Sequence, residues 1–159
     1  MTDEVFAPLA ERFPDVDFEQ VLASKQDVAH VPLDRYRGFV EAAHNVGFDV
    51  FVDLCAVDYL HRKPRFDVVL NLLSHTNRRR LRIRVGVPAS DPTVASITGI
   101  FPGANFYERE TFDLFGIVFS GHPDLTRLLL PDDWEGHPLR KDHSVGSVPV
   151  RFKASPKTS

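Results

Sequence analysis

The chain has 159 residues, 43% of them apolar, which is enough for one domain with a hydrophobic core and too few for two. A formal charge of −3 gives no net attraction to nucleic acid or anionic lipid, and the single cysteine, Cys55, excludes an internal disulfide, an iron–sulfur cluster and a cysteine-type zinc site. No apolar run reaches the ~20 residues that a membrane-spanning helix needs, so we expect a cytoplasmic protein without a membrane span.

Residues 5–47 show the patterns of a helix, two strands and a second helix. The first helix is predicted to end before Pro14 and to bury one face, formed by Val5, Phe6, Leu9, Ala10 and Phe13. Two short strands are predicted at residues 16–18 and 28–33. The second helix is predicted to begin after Asp34 as its N-cap and to end at Gly47 in the left-handed conformation. Its predicted apolar stripe consists of Tyr36, Phe39, Val40, Ala43 and Val46.

Three strands are predicted next, because the apolar period changes to two residues. Their apolar positions are Phe48, Val50, Val52, Leu54 and Ala56, then Phe66, Val68, Leu70 and Leu72, then Leu81, Ile83, Val85 and Val87. Polar residues at the alternate positions predict a sheet with one buried face. The short connections predict antiparallel neighbours, since a parallel pair needs a long crossover.

The rest of the sequence predicts two short helices, over residues 93–100 and 106–115, followed by irregular chain. Proline interrupts that chain repeatedly, and residues 144–159 have the composition of a tail without a core. We therefore predict an α+β fold: a two-layer helix/sheet domain with a mainly antiparallel or mixed sheet at residues 1–116. An irregular C-terminal extension that binds a partner is predicted at residues 117–159.

The last predicted strand and the turn before it carry arginine at every second position, at Arg78, Arg80, Arg82 and Arg84. Such a stripe can follow a phosphate backbone, which keeps a stand-alone nucleic-acid-binding module as an alternative. Cross-strand pairing with carboxylates of neighbouring strands, Asp49, Asp53 and Asp67, explains the stripe better. We therefore predict a solvated or internally paired face and no nucleic-acid partner.

Histidine and acidic residues near the C-terminus are zinc-ligand types, but their spacing argues against a metal site. His122 and His137 each precede a proline, which excludes helical geometry at both positions. Glu108 and Glu110 point about 200° apart on a helix, so they cannot act as an acid–base pair on one bond. The sequence also lacks a nucleophile elbow, a phosphate-binding glycine loop and a dinucleotide fingerprint. We predict no catalytic, cofactor-binding or metal-binding residues in this chain.

The helix at residues 106–115 is predicted to pack on two sides. Asn105 and Glu108 resemble a capping box, and Gly116 fits the glycine that ends a helix. Large aromatic residues fall on both arcs of the helix. Glu108 lies among them, where a buried carboxylate needs the cap, a cation such as Arg127, or a partner. One side is expected to face the sheet and the other side another subunit.

The densest motif of the chain runs from the predicted helix into the irregular extension. It consists of Glu108, Arg109, Glu110, Asp113, Phe115, Gly116, His122, Pro123, Asp124, Arg127, Asp133, Trp134, Gly136, His137, Pro138, Arg140, Lys141 and Asp142. This motif resembles the signature of the C subunit of the proton-pumping NADH:quinone oxidoreductase, the 30-kDa subunit family of respiratory complex I. We interpret these residues as an interface with another subunit.

The resemblance implies a structural subunit of the peripheral arm of a complex that couples electron transfer from NADH to quinone with proton translocation. It implies no cofactor in this chain, with FMN, iron–sulfur clusters, NADH and quinone bound through other subunits. The implied partners are the large D (49-kDa-type) subunit near the quinone site and neighbouring peripheral-arm subunits, at the cytoplasmic face of the cell membrane. An equivalent subunit of a membrane-bound hydrogenase, or of a quinone oxidoreductase with another electron donor, is an alternative.

Overall fold

A computed structural model describes residues 4–21 and 26–144 of the chain. Residues 145–159 of the predicted tail lie outside the described residues. The elements in chain order are α1 (Ala7–Arg12), β1 (Asp17–Val21), β2 (Gln26–Val31), a 3-10 turn (Leu33–Arg35), α2 (Tyr36–Asn45), β3 (Val50–Asp58), β4 (Phe66–Ser74), β5 (Arg79–Val87), β6 (Thr93–Ala95), α3 (Ala104–Phe115) and β7 (Val118–Ser120).

In these two ranges, five strands form one mixed sheet in the order β1-β2-β5-β4-β3. The pairs β1/β2, β5/β4 and β4/β3 are antiparallel, whereas β2 and β5 are parallel. The short strands β6 and β7 pair in parallel outside this sheet. The predicted α+β fold with a mixed sheet is confirmed.

The hydrophobic core lies between one face of the sheet and the helices α1 and α2. Alternate residues of β4 and β5 are fully buried there, and so are four residues of α2: Tyr36, Phe39, Val40 and Ala43. Burying each large apolar side chain of this set stabilises the fold by roughly 1.5–3 kcal/mol. The predicted alternation of β4 and β5 is confirmed.

The start of α2 differs from the prediction. Leu33–Arg35 form a 3-10 turn, in which the Arg35 N–H donates to the carbonyl of Pro32 (3.0 Å). Arg35 then occupies the N-cap position of α2 without a side-chain cap. The Asp34 carboxylate lies on the surface, 3.5 Å from Arg35 Nε, so the predicted Asp34 cap is wrong. Gly47 has φ +101°, as expected of the glycine that ends the helix.

A β-bulge changes the faces of β3. The register with β4 shifts between Phe51 and Asp53, so one extra residue is inserted into β3. Phe51 packs against the core, Val52 is 46% exposed, and Leu54 and Ala56 return to the buried face. The prediction that Val52 faces the core is therefore wrong, because a strict period of two does not continue through a bulge.

The hairpin between β4 and β5 shortens the predicted arginine stripe. The Asn77 N–H donates to Ser74 Oγ (3.1 Å) within the turn. Arg78 has φ +52° and belongs to this turn, not to β5. The stripe on β5 therefore begins at Arg80.

Residues 93–100, predicted as a helix, form β6 and turns instead. Val94 and Ile97 are both buried, 2% and 0% exposed, and Val94 pairs with Phe119 of β7. Two apolar residues three positions apart suit a helix, but also a strand end followed by a turn. The prediction is wrong because the pairing partner is distant in sequence.

Residues 117–120 pack onto the domain that precedes them. Ile117 and Phe119 are 0% and 2% exposed and belong to the hydrophobic core. The N–H of Val118 donates to the carbonyl of Pro92 (2.8 Å). The division of the chain at Gly116 into a domain and a partner-binding extension stays a prediction, and the core itself continues to β7.

Candidate functional site

Helix α3, which packs beside β3, carries the first part of the motif. Its N-cap is Gly103, without a side-chain cap, so the predicted capping box of Asn105 and Glu108 is wrong. Gly116 adopts φ +71° and donates its N–H to a carbonyl of the last turn (2.8 Å). The predicted glycine at the helix end is confirmed.

Asp113 attaches residues 121–144, here named the C-terminal segment, to α3. Its carboxylate is fully buried, and Oδ2 accepts hydrogen bonds from three consecutive backbone N–H groups, those of residues 128–130, at 2.8–3.0 Å. Oδ1 accepts a hydrogen bond from Arg127 Nη1 (2.8 Å). Burial raises the pKa of Asp113, but these four donors outweigh it and hold the pKa below its usual value.

Arg109 makes a second attachment on the adjacent part of α3. Its Nη2 donates to the Thr126 hydroxyl (3.0 Å) and to the Arg127 carbonyl (3.2 Å), and its Nε donates to the Thr126 carbonyl (3.2 Å). The planar guanidinium thus binds two successive residues of the C-terminal segment.

The C-terminal end of α3 forms the third attachment. His137 Nδ1 donates to the carbonyl of Asp113 (3.0 Å), and Arg140 Nε donates to the carbonyl of Phe115 (2.6 Å). These carbonyls have no partner within the helix, and a cation is favoured at this end of the helix dipole. A Cβ at Gly116 would collide with the His137 ring, so the segment passes close to the backbone there.

A fourth attachment joins the C-terminal segment to the sheet through Asp58, at the end of β3. Arg65 Nη2 donates to Asp58 Oδ2 (2.8 Å) and also to Asp142 Oδ1 (2.8 Å). The backbone N–H of Lys141 donates to Asp58 Oδ2 (2.8 Å). The hydrogen bond from Arg65 is the main reason that the pKa of Asp58 lies well below its usual value, and Lys141 lowers it further.

Sequence reasoning missed Asp58 and Arg65. A signal was available for Asp58, because it occupies the same parity in β3 as the buried Leu54 and Ala56, where an apolar residue is expected. A charged residue at a buried position needs a partner. Arg65 carries no signal of this kind, since its role depends on where residues 141–142 return.

Glu108 is buried as predicted, and Arg127, named as an example of a cation that could satisfy its carboxylate, binds Asp113 instead. Glu108 Oε1 accepts a hydrogen bond from the backbone N–H of Ile97 (2.8 Å). Glu110, two residues further along the same helix, is exposed. The two carboxylates therefore lie in different environments, as the helical geometry predicted.

The remaining motif residues do not converge on one point. Phe115, Trp134 and Pro138 are half-buried, and so is His122 as a whole residue, although its side chain is fully buried. Pro123, Asp124, Asp133, Gly136, Lys141 and Asp142 are exposed. Among the described residues, the motif thus forms several attachments, three to α3 and one to the end of β3. Their role as an interface with another subunit stays a prediction.

Large apolar side chains remain exposed on both sides of these attachments. Phe106 and Tyr107 on α3 are 60% and 37% exposed, and Leu129 and Leu139 of the C-terminal segment are 61% and 51% exposed. Tyr107 and Leu139 line a groove of about 330 Å³ between α3 and β3, and Glu110 lies on its wall. Four large apolar side chains on and beside α3 are thus accessible to a partner.

Two arginines of β5, Arg82 and Arg84, donate hydrogen bonds to side chains of β4. Arg84 Nη2 donates to Asp67 Oδ2 (2.7 Å), and Arg82 Nε donates to Asn71 Oδ1 (3.0 Å). Asn71 Nδ2 in turn donates to Asp53 Oδ1 (2.6 Å). The predicted cross-strand pairing with a carboxylate is confirmed for Arg84 and Asp67, whereas Arg82 is connected to Asp53 only through Asn71.

The described residues contain neither a cluster of metal ligands nor a helix that could span a membrane. Within residues 4–21 and 26–144, no group of three or more histidine, cysteine, aspartate or glutamate side chains is arranged to hold a metal ion. Over the same ranges, no helix has the length and apolar character needed to cross a bilayer.

Comparison with known proteins identifies relatives of the chain. Two curated relatives both bear the name of the C subunit of NADH-quinone oxidoreductase. The protein from Roseiflexus sp. (strain RS-1) is 58% identical over 105 residues, which cover 66% of this chain and 60% of the relative. The protein from Salinispora arenicola is 39% identical over 160 residues, which cover 96% of this chain and 65% of the relative. The matched part is thus less than two thirds of the length of either relative.

Two solved structures share the fold. The trypsin-resistant fragment (1–134) of Nqo5 matches with a TM-score of 0.68 and 33% identity, over 76% of this chain and 99% of the fragment. A chain of the membrane-bound sulfane sulfur reductase, an archaeal respiratory membrane complex, matches with a TM-score of 0.79 and 22% identity, over 98% of this chain and 97% of that chain. The sequence profile of the respiratory-chain NADH dehydrogenase 30-kDa subunit matches residues 29–148. The chain therefore belongs to the 30-kDa subunit family of respiratory-chain NADH dehydrogenase.

Proposed function

We propose that the chain is a structural subunit of the peripheral arm of an NADH:quinone oxidoreductase and that it holds the large D subunit near the quinone site. Family membership and the names of the relatives support the complex. The main support for the docking role is the exposed apolar surface beside the C-terminal segment, which is hydrogen-bonded to α3. In this proposal the chain contributes shape and contact area, and it contributes no catalytic residue.

The attachments of the C-terminal segment favour a prepared docking surface. Asp113 and Arg109 fix residues 126–130, so the exposed Leu129 side chain is presented without the entropy cost of ordering a loose loop at binding. Leu139 is fixed in the same way, because its N–H donates to the carbonyl of Leu114 (3.1 Å). Exposed leucines on an ordered backbone suit a permanent, apolar contact between subunits.

The proposal also covers cofactors and location. FMN, iron–sulfur clusters, NADH and quinone would be bound by other subunits of the complex, which would lie at the cytoplasmic face of the cell membrane. The alternative, a subunit of a membrane-bound hydrogenase or of a complex with another electron donor, uses the same docking surface. Identification of the proteins that co-purify from native membranes distinguishes these complexes.

The docking surface is tested with the double variant Leu129→Ser, Leu139→Ser in a tagged full chain co-expressed with a D-type subunit. We expect the double variant to lose the D subunit in pull-downs, because both side chains would be buried at the contact. The matched control is Val21→Ser on β1, which is 39% exposed and lies at the far edge of the sheet. Retention of the D subunit by the double variant, or its loss from the control, would refute the assigned surface.

A further inference from the structure

A buried polar cluster lies where the C-terminal segment begins. The Glu108 side chain is 0% exposed, and its Oε2 accepts no hydrogen bond from the described residues. The hydroxyl of Tyr36 is also buried and unbonded among these residues. The His122 side chain is fully buried, with Nε2 4.0 Å from Glu108 Oε2, which is too long for a hydrogen bond. The second oxygen of a buried carboxylate is thus left without a donor.

Both ring nitrogens of His122 are engaged with backbone groups. Nδ1 accepts the backbone N–H of Asp124 (3.0 Å), so the ring hydrogen lies on Nε2. That Nε2–H faces the carbonyl of Asn105 (3.3 Å). A second ring proton would lie on Nδ1 and would point at the N–H of Asp124. His122 is therefore not a ready counter-ion for Glu108.

Arg37, a charged neighbour of Glu108, is already hydrogen-bonded to the backbone. Arg37 of α2 donates through Nη1 to the carbonyl of Ser96 (2.7 Å), and Ser96 Oγ lies 2.9 Å from Thr98 Oγ1. Burial raises the pKa of Glu108 to about 6, although the Ile97 N–H, the Ser96 hydroxyl and Arg37 lower it in part. Burial, together with the Glu108 carboxylate, also raises the pKa of Tyr36.

We propose that Glu108 is a buried proton-binding site, which takes up a proton on Oε2 and transmits its protonation state through His122 to the start of the C-terminal segment. Burial of a carboxylate with one oxygen that lacks a donor favours the neutral form more than in an exposed carboxylate. His122 Nε2 lies 3.3 Å from the Asn105 carbonyl and 4.0 Å from Glu108 Oε2. An ionised Glu108 attracts this N–H, and a neutral Glu108 releases it, so the ring and the Asp124 N–H that it accepts shift together.

The direct test follows the carboxyl carbon of Glu108 by NMR in the native full chain labelled at glutamate. We expect a titration midpoint near pH 6, and a shift of the Asp124 amide resonance with the same midpoint. Compared with the usual glutamate pKa of 4.5, a midpoint near pH 6 means that ionisation of Glu108 is about 30-fold less favourable in the folded chain. A Glu108 midpoint among those of the exposed glutamates, or an Asp124 resonance that ignores the Glu108 midpoint, would overturn the proposal.

The variant Glu108→Gln removes the titration and keeps the side-chain shape, and Glu110→Gln on the exposed face is the matched control. Because the folded chain binds this proton more tightly, the stabilisation is fully present below pH 4.5 and is lost as the pH rises through about 6. We therefore expect Glu108→Gln to raise the urea midpoint at about pH 7.5 relative to the wild type, with no gain at about pH 4.5. A lower midpoint at about pH 7.5 refutes the proposal, and the native-chain titration decides the matter if the variant does not fold.

The consequence for docking of the D subunit rests on the proposed function. Binding of the D subunit to the wild type should differ between about pH 5.5 and pH 7.5, and the difference should disappear in Glu108→Gln. If the D subunit binds at neither pH while the NMR midpoint is near pH 6, the proposed function fails and the proton site stands. If the wild type binds the D subunit strongly and independently of pH, the proposed effect of Glu108 protonation on the C-terminal segment is refuted.

Discussion

Replacing Asp113 with alanine removes the acceptor that fixes the C-terminal segment to α3. The wild-type carboxylate accepts three backbone N–H groups and one guanidinium, all at 2.8–3.0 Å, in a fully buried site. A single hydrogen bond to a charged group contributes roughly 1.5–3 kcal/mol, but contributions within one cluster do not add fully. Loss of one partner of a buried pair costs roughly 3–5 kcal/mol. We expect the free energy that opens the segment to fall by about 4 kcal/mol.

Amide hydrogen exchange measures this opening directly. A loss of about 4 kcal/mol corresponds to an exchange rate about 10³-fold faster at residues 128–130. Amides in β4 should keep their protection, because the core between the sheet and α2 contains no part of this cluster. Asp133→Ala, which removes an exposed carboxylate of the same segment, is the control and should change neither region. Equal acceleration of β4 and residues 128–130, or no acceleration at either, would refute the reasoning.

Three further substitutions test other parts of the structure. Asp58→Asn should reduce the loss of stability at acid pH, as measured by urea unfolding. The hydrogen bond from Arg65 holds the pKa of Asp58 below its usual 3.8, so the ionised carboxylate stabilises the fold above that pH and this stabilisation is lost as the pH falls below it. Gly116→Ala should destabilise the chain by roughly 1–3 kcal/mol, because φ is +71° and a Cβ would meet the His137 ring; an unchanged urea midpoint would contradict this. Val52→Ser should change the unfolding free energy by less than about 0.5 kcal/mol, whereas Leu54→Ser should lower it by roughly 3 kcal/mol; similar effects of both would show that the bulge is misplaced.

The sheet and the two main helices were predictable because their signals are local. The alternation of β4 and β5 and the stripe of α2 each reflect one face packed against the core, and a glycine with positive φ ends both α2 and α3. The errors occurred where a distant partner decides the structure. Residues 93–95 become a strand because β7 pairs with them, and Val52 becomes exposed because a bulge shifts the register of β3.

The candidate site was predictable as a set of residues but not as a set of contacts. The motif identified Asp113 and Arg127, but a sequence cannot show which buried carboxylate the returning chain meets. The attachment of Arg65 to residues 58 and 142 likewise depends on a return of the chain over 77 positions. The hydrogen bonds that join the C-terminal segment to α3 and to Asp58 likewise connect residues far apart in sequence, so no local pattern predicts them.

The parallel pairing of β2 with β5 has a consequence for the order of folding. β3, β4 and β5 are successive antiparallel neighbours with short connections, so their contacts form early. The contact between β2 and β5 is long-range, because α2, β3 and β4 lie between these two strands in the sequence. β1 pairs with the sheet only through β2. We therefore expect substitutions in the β3–β5 meander to slow refolding and substitutions in β1 and β2 to speed unfolding. A chevron analysis should show slower refolding for Leu70→Ala in β4 and faster unfolding for Val28→Ala in β2. Slower refolding of Val28→Ala and faster unfolding of Leu70→Ala would instead place the folding nucleus at the β1–β2 edge.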